Sequence, residues 1–354
     1  NYVVTAYFQS ANIIKTIIQM ASAYYTASYY MWVTIEIFFG IVYSFILNWR
    51  INQTYPWLKT EVKQGKQLLK KYPEVAKYTK QLFVHKISGF VQNQTAPFLI
   101  YTFVSLKIVA YYGNYTIIID KLSILLSNFL DSTNAGVGNL IAEGSQEKIK
   151  NVFWELISLR FLAAGTLIFS VYHLLPSFIS LWIGKEYLLS ETVLFLILIN
   201  LFIGTTRGAV DQFLFGYGLF YDVWAPITES AIYMVIAIIG GYFWGLEGVL
   251  FGATTSRFLI VGIWKPYFLF AKGFKISVWQ YWKNWLFHLL IITTTAIIIV
   301  KVLSYAQMDF TYTSWHSWLL HGTILSIAYI SITLISLLLL TKGTRNFISR
   351  IIKF

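Results

Sequence analysis

The sequence predicts an all-α polytopic membrane protein of about ten transmembrane helices, on three observations. Of 354 residues, 57% are hydrophobic and 12% charged, and the mean hydropathy is +0.62; soluble domains carry about a quarter charged residues. Apolar stretches recur at the roughly 20 residues a helix needs to cross a hydrocarbon core about 30 Å thick. Lys and Arg gather in alternate connections instead of spreading evenly.

Spans are expected at 2–26, 28–48, 82–106, 114–138, 152–172, 192–214, 224–244, 246–268, 282–304 and 317–340. The first is the most polar, since "FQSANIIKTIIQ" is half apolar at best. After the second comes "RINQTYPWLKTEVKQGKQLLKKYPEVAKYTK", residues 50–80, which reads as a basic aqueous segment with some helix. In the third span, "NQTAPFLIY" places Pro97 deep inside, the one proline so placed, where it removes a backbone hydrogen bond and predicts a kink. The glycines of "GGYFWGLEGVLFGATTS" permit a very tight turn between the seventh and eighth spans and close helix packing.

The charges fix an orientation. Segment 50–80 holds eight Lys or Arg, 143–150 holds two, 265–283 holds four and the tail after Thr341 four. With alternating spans all eighteen fall on one side, against Lys107, Lys185 and Lys301 on the other. That asymmetry predicts a cytoplasmic basic segment and cytoplasmic ends. It also accounts for the net charge of +12 through attraction to anionic membrane lipids, leaving no reason to expect a nucleic-acid partner. The chain starts at Asn1 with no signal peptide ahead of the first span, so a longer N-terminus is expected.

Six cations fall within spans or at their edges: Lys15, Lys86, Lys121, Arg160, Arg207 and Arg257. Each costs about 2.5–3.5 kcal/mol at mid-helix on insertion scales, and such residues face a bundle interior or a wet cavity. Helical spacing adds polar stripes. Asp120, Ser123, Ser127, Asp131, Asn134 and Gly138 step by three or four along the fourth span. The third has Gln81, His85, Ser88, Gln92 and Thr95, and the first Gln9, Asn12, Thr16 and Gln19. One polar residue reads as helix–helix glue; full-length stripes on three helices read as a hydrated lumen.

Candidate cavity-lining residues are therefore Arg207, Arg160, Arg257, Lys15, Lys121, Gln92, His85, Ser127 and Asn134. Asp211, Asp131, Asp120 and Glu36 are candidates to bind a coupling proton or sodium ion. Arg207 and Asp211, four residues apart, share a face and form either a structural pair or an anion-binding group with its positioning acid. Arg160 has Glu155 and Glu191 as distant acids, and Arg257 must find its partner elsewhere in the bundle. Lys15 lies off its stripe and snorkels; Asp120 and Lys121 point about 100° apart and do not pair.

Catalytic groupings are missing. Zero cysteines exclude a thiol metal site, a disulfide framework and a Cys nucleophile. The histidines His85, His173, His288, His316 and His321 form no HExxH or other ligand spacing, and there is no GxxxxGK[ST] loop or GxSxG elbow. No enzyme activity, cofactor or metal is expected, and any transport must draw on a gradient or on substrate turnover.

"LLPSFISLWIGKEYLLSETVLFLILIN" followed by "GLFYDVWAPITESAIYMVIAIIGGYFWGLEGVLFGATTSRFLIVGIWKPYFLF" resembles the polysaccharide-exporter family of bacterial lipid-linked oligosaccharide flippases, in the superfamily of MATE multidrug exporters. The pattern is an outer Trp-Ile-Gly turn, a Pro-led helix, a Gly-rich hairpin and a Lys-Pro helix exit, most specific over residues 150–285. The resemblance implies a MATE-like two-lobe bundle with part of the N-terminal lobe missing. Residues 1–49 would be its last two helices, 50–80 the linker, 81–272 a six-helix C-terminal lobe, and 273–354 two added helices with a basic tail. It transfers no functional residue.

The function so implied is translocation of a polyprenyl-pyrophosphate oligosaccharide across the bacterial cytoplasmic membrane by alternating access, for O-antigen or capsule-type polysaccharide. Its partners would be membrane lipids, a proton or sodium counter-ion, a polysaccharide polymerase and glycosyltransferases. A cation-coupled exporter of drugs or small molecules is the alternative. A membrane glycan polymerase or ligase is disfavoured by outer connections under twenty residues, near 173–191 and 305–316.

Overall fold

The computed structural model describes residues 2–57, 62–305, 312 and 314–352; the fold is all-helical, at 91% helix with no strand among the described residues. Lys59, Lys353 and most of the connection expected at 305–316 lie outside those residues. The chain divides into two units, Asn1–Ala76 and Lys77–Phe354.

In the first unit α1 (Tyr2–Thr26) and α2 (Tyr29–Thr54) pack as a hairpin, and α3 (Val62–Lys71) supplies the helix expected within the basic segment. The turn is made by Ala27 at φ 47° and by Ser28, whose hydroxyl accepts from the Met31 N–H and caps α2. No residue of α2 is buried, and Phe38, Ile41 and Phe45 stand exposed along it. An apolar face of that size needs lipid or protein against it.

The second unit holds α4 (Pro73–Phe103, entering from the first), α5 (Leu106–Asp131), α6 (Asn134–Glu143), α7 (Gln146–Trp182), α8 (Glu191–Gly216) and α9 (Trp224–Arg257). Two π-helical stretches, Phe258–Trp264 and Leu269–Phe274, then flank α10 (Lys265–Phe268), and α11 (Trp279–Tyr305), α12 (Trp315–Leu340) and α13 (Lys342–Ile352) complete it. Serine starts four of these helices. Ser105, Ser145, Ser190 and Ser314 each accept from the backbone N–H three residues on. Such caps satisfy backbone donors that have no intrahelical partner.

α7 is the hub, touching α5, α8, α11, α12 and α13. Its Phe153 meets Phe213 and Phe274 edge-on, at centroid distances of 5.2 and 5.1 Å, tying α7 to α8 and the end of the π-helical run. A second cluster, with Ile100, Tyr115, Ile179, Leu198 and Val249, joins α4, α5, α7, α8 and α9. The tight turn expected between 244 and 246 is present: Gly245 has φ 58° and α9 folds back there. The two limbs touch through backbone, so a Cβ on Gly248 would lie 1.9 Å from the Gly240 carbonyl oxygen.

Six helices among the described residues are long and apolar enough to cross a membrane, against the ten spans expected: α2, α7, α8, the run Trp224–Phe274, α11 and α12. The run Trp224–Phe274 counts once although it reverses at Gly245. α1, α4 and α5 are 25, 31 and 26 residues long but too polar to count, and they carry the three stripes.

Several helix limits differ from the expected spans. The span expected at 114–138 is broken: α5 stops at Asp131 and α6 starts at Asn134, because the Ser132 and Thr133 hydroxyls bond back to the carbonyls of Phe129 and Leu130. Asn134 and Gly138 therefore leave the stripe's helix. α7 runs on to Trp182, so Pro176 as well as Pro97 lies inside a helix, and α4 passes Pro97 as one helix.

Candidate functional site

Helical spacing brings polar residues of α4, α8 and α9 to a common interior. On α8, Asn200, Arg207 and Asp211 follow at seven and four residues, on one face of a largely apolar helix. Arg207 Nε donates to Asp211 Oδ2 at 2.7 Å. From the first limb of α9 comes Glu229, 6% exposed, which is hydrogen-bonded by Gln92 of α4 and lies within electrostatic range of Arg207 and Arg257. From the second limb, Arg257 Nη1 donates to Asn200 Oδ1 at 3.3 Å, while Asn200 Nδ2 donates to Thr254 Oγ1 at 2.8 Å. Two guanidinium groups and two carboxylates thus sit among apolar helices with their charges balanced. Balance makes such a group tolerable there, because an isolated ion in low dielectric is far costlier than a hydrogen-bonded set.

A second group lies where the α8–α9 connection meets the α10 region. Asp222, with its side chain 1% exposed, accepts from Lys265 Nζ at 2.7 Å and Trp264 Nε1 at 3.1 Å through Oδ2. His85 Nε2 stands 3.6 Å from Oδ1. Lys265 falls in a connection expected to be aqueous, yet it is buried, because Asp222 offers it a partner 43 positions away. Taking it from the eighteen leaves seventeen Lys and Arg against three, so the asymmetry stands.

Arg160 forms a third group. Its partner is neither Glu155 nor Glu191 but Asp131 of α5, at 2.7 Å, and it also donates to the Thr205 carbonyl at 3.2 Å. Glu155 instead binds Arg350 of α13 at 3.0 Å, and Glu191 takes the Tyr172 hydroxyl. Gly208 lets the Arg160 guanidinium lie on the α8 backbone.

The other expected residues are dispersed. Lys15 has a partner in the first unit: it binds Glu36 at 2.6 Å, with Gln19 on the other carboxylate oxygen at 3.0 Å. Asp120, Lys121 and Ser127 of α5 and Asn134 of α6 are exposed on the second unit, and Asp120 makes no ion pair with Lys121 among the described residues. On the α4 stripe Ser88 turns inward, while Gln81, His85, Gln92 and Thr95 are half-buried. Ser88 is buried, donates to the Pro226 carbonyl and bonds Ser230, which is helix–helix glue. Of the four coupling candidates, Asp211, Asp131 and Glu36 are each tied to a cation.

Glu229, Asp222 and Lys265 are the residues that sequence reasoning missed. An acid in "APITES" and another in "FYDVW", each beside apolar helix, were the available signals. An apolar cleft of 670 Å³ also runs along α7, α8 and α11, with Lys301 among its lining residues. No family model, curated protein or solved structure matches the chain.

Proposed function

We propose that the protein translocates a lipid-linked oligosaccharide, carried on polyprenyl pyrophosphate, across the bacterial cytoplasmic membrane with its C-terminus in the cytoplasm. The observation that supports this reading is the charge-balanced group of Arg207, Asp211, Glu229 and Arg257, with Gln92, Asn200 and Thr254, inside apolar helices. A sugar chain with a pyrophosphate is barred from hydrocarbon by its hydroxyls and charge, each unsatisfied polar group costing several kcal/mol. Amides and hydroxyls replace the hydration of the sugars; guanidinium groups match phosphate oxygens in a planar fork. The isoprenoid chain needs no polar site, and the cleft along α7, α8 and α11 offers it an apolar one. Alternating exposure of the polar group to the two membrane faces completes the transfer.

The chain reconstituted in liposomes should move a fluorescent lipid-linked glycan between leaflets, and the Arg207→Ala/Arg257→Ala double variant should not. Movement of a lipophilic cation in place of the glycan would replace this reading with the drug exporter, in which Glu229 would meet the cargo.

A further inference from the structure

We infer that His85 and Asp222 form a proton-binding site, the proton being held between Nε2 of the imidazole and Oδ1 of the carboxylate. Its coupling role rests on the transport reading above; its existence does not.

Asp222 is almost wholly buried, and its two oxygens are unlike. Oδ2 is occupied by Lys265 and Trp264, whereas Oδ1 is buried without a hydrogen-bond partner. The atom facing it, His85 Nε2 at 3.6 Å, is buried and unpartnered as well. Two polar atoms left so are costly, and such a pair invites a ligand.

The spacing decides which ligand. A nitrogen–oxygen hydrogen bond is about 2.7–3.2 Å long, so the two atoms are not bonded. A water bonded to both at about 2.8 Å would hold them about 4.5 Å apart, so none fits between. A metal ion is disfavoured by charge, since the Lys265 ammonium already neutralises the carboxylate, and no group of three or more ligating residues exists among the described residues. A proton fits. Taken from water, it converts the imidazole to imidazolium, and Nε2–H reaches Oδ1 after a closure of about 0.5 Å. On opening, the same proton returns to water and the ring is neutral again.

The groups facing the imidazole bear on its charge from each neighbouring element. Burial and then the Lys265 ammonium of α10 oppose the imidazolium, whereas Asp222 on the α8–α9 connection, the Phe220 backbone that hydrogen-bonds the ring, and Asp211 on α8 favour it. On α4 itself the neighbours are exposed Lys86 and, a turn earlier, Gln81. Gln92, which reaches Glu229, lies seven residues beyond His85 on the same face of α4. A proton that ties α4 to the α8–α9 connection therefore acts on the helix that carries Gln92 to the charged group.

The full chain, labelled with ¹⁵N-histidine and held in lipid nanodiscs, supplies the test. The His85 signal is identified by its loss in His85→Gln. As pH falls from 8 to 5 that signal should move to the doubly protonated form, and Asp222→Asn should require about tenfold more acid for the same change. Because Asp222→Asn strands Lys265, Asp222→Asn/Lys265→Met is measured alongside and should also lose the protonated form at the pH where wild type shows it. A His85 ring that stays neutral to pH 5, or that titrates alike in all three proteins, would overturn the site. In liposomes, wild-type glycan transport should change at least about fivefold between pH 8 and pH 5 and that of His85→Gln less than about twofold. An unchanged profile in His85→Gln would overturn the coupling role. A wild type that moves no glycan at all would sink the transport reading and leave the nanodisc result to judge the site.

Discussion

Gly208 lies directly beneath the guanidinium of Arg160: a Cβ added there would fall 2.1 Å from Nη1 and 2.4 Å from Cζ. The contact explains how a cation 3% exposed is accommodated at the α7–α8 interface. Gly208→Ala must push the guanidinium off Asp131, at a cost of about 1–3 kcal/mol. Gly204→Ala, one turn away with nothing within 4 Å, is the control. Thermal unfolding in detergent should show a clear drop for the first and little change for the second.

The Arg160–Asp131 pair is lopsided, with side-chain exposures of 4% and 46%. Removing the arginine leaves a carboxylate that water already reaches; removing the aspartate leaves a buried guanidinium with only the Thr205 carbonyl. Asp131→Ala should therefore cost about 2–3 kcal/mol and Arg160→Met, which keeps the volume, about 1 kcal/mol or less. Denaturant unfolding of the two variants measures the difference. Equal losses would mean that the packing of Arg160, and not its charge, holds the three helices.

At the α9 reversal there is no side chain to yield. Gly248→Ala sets a methyl against the Gly240 carbonyl, and Gly240→Ala meets Gly248 backbone at 2.7 Å. Either should part the limbs that carry Glu229 and Arg257. Lower yield of folded protein and faster proteolysis at residues 242–246 are the expected readouts.

Arg207 distinguishes binding from bracing. If its charge meets an anionic cargo, Arg207→Ala should lower glycan transport by at least tenfold and Arg207→Lys by less, an interaction of about 1.5–3 kcal/mol. Both rates come from the liposome assay, with folding checked by size-exclusion chromatography. Equal, mild losses would leave Arg207 as the structural partner of Asp211.

The absence of cysteine makes exposure directly measurable. Single replacements Ser127→Cys and Asp120→Cys should react with a water-soluble maleimide in membranes, and Ser88→Cys should resist it. Protection of Ser127→Cys and Asp120→Cys alike would remove the hydrated face assigned to α5.

What was legible in the sequence is what repeats locally. Apolar length located the helices, the glycine run located the reversal at Gly245, and the i, i+4 spacing paired Arg207 with Asp211. Partnerships between distant segments were not legible. Asp131 and Arg160 stand 29 positions apart and Asp222 and Lys265 43 apart, so no helical period links them. Lys265 also opens "KPYF", at what composition marks as a helix exit, and a lysine there has the same sequence context whether it ends in water or on a buried carboxylate. The α4 stripe is a different case: its period was legible, but a polar face serves equally to face water or a polar neighbour, and Ser88 bonds Ser230.

The π-helical stretches on either side of α10 set the direction in which Lys265 projects. Each such turn takes in one residue beyond the ordinary count, while every residue of an α-helix advances the side chains by about 100°. Deleting a single amino acid between 258 and 264 would swivel Lys265 by that angle, strand Asp222 and turn an ammonium toward lipid. In this stretch the number of residues, and not only their identity, decides whether Lys265 meets Asp222.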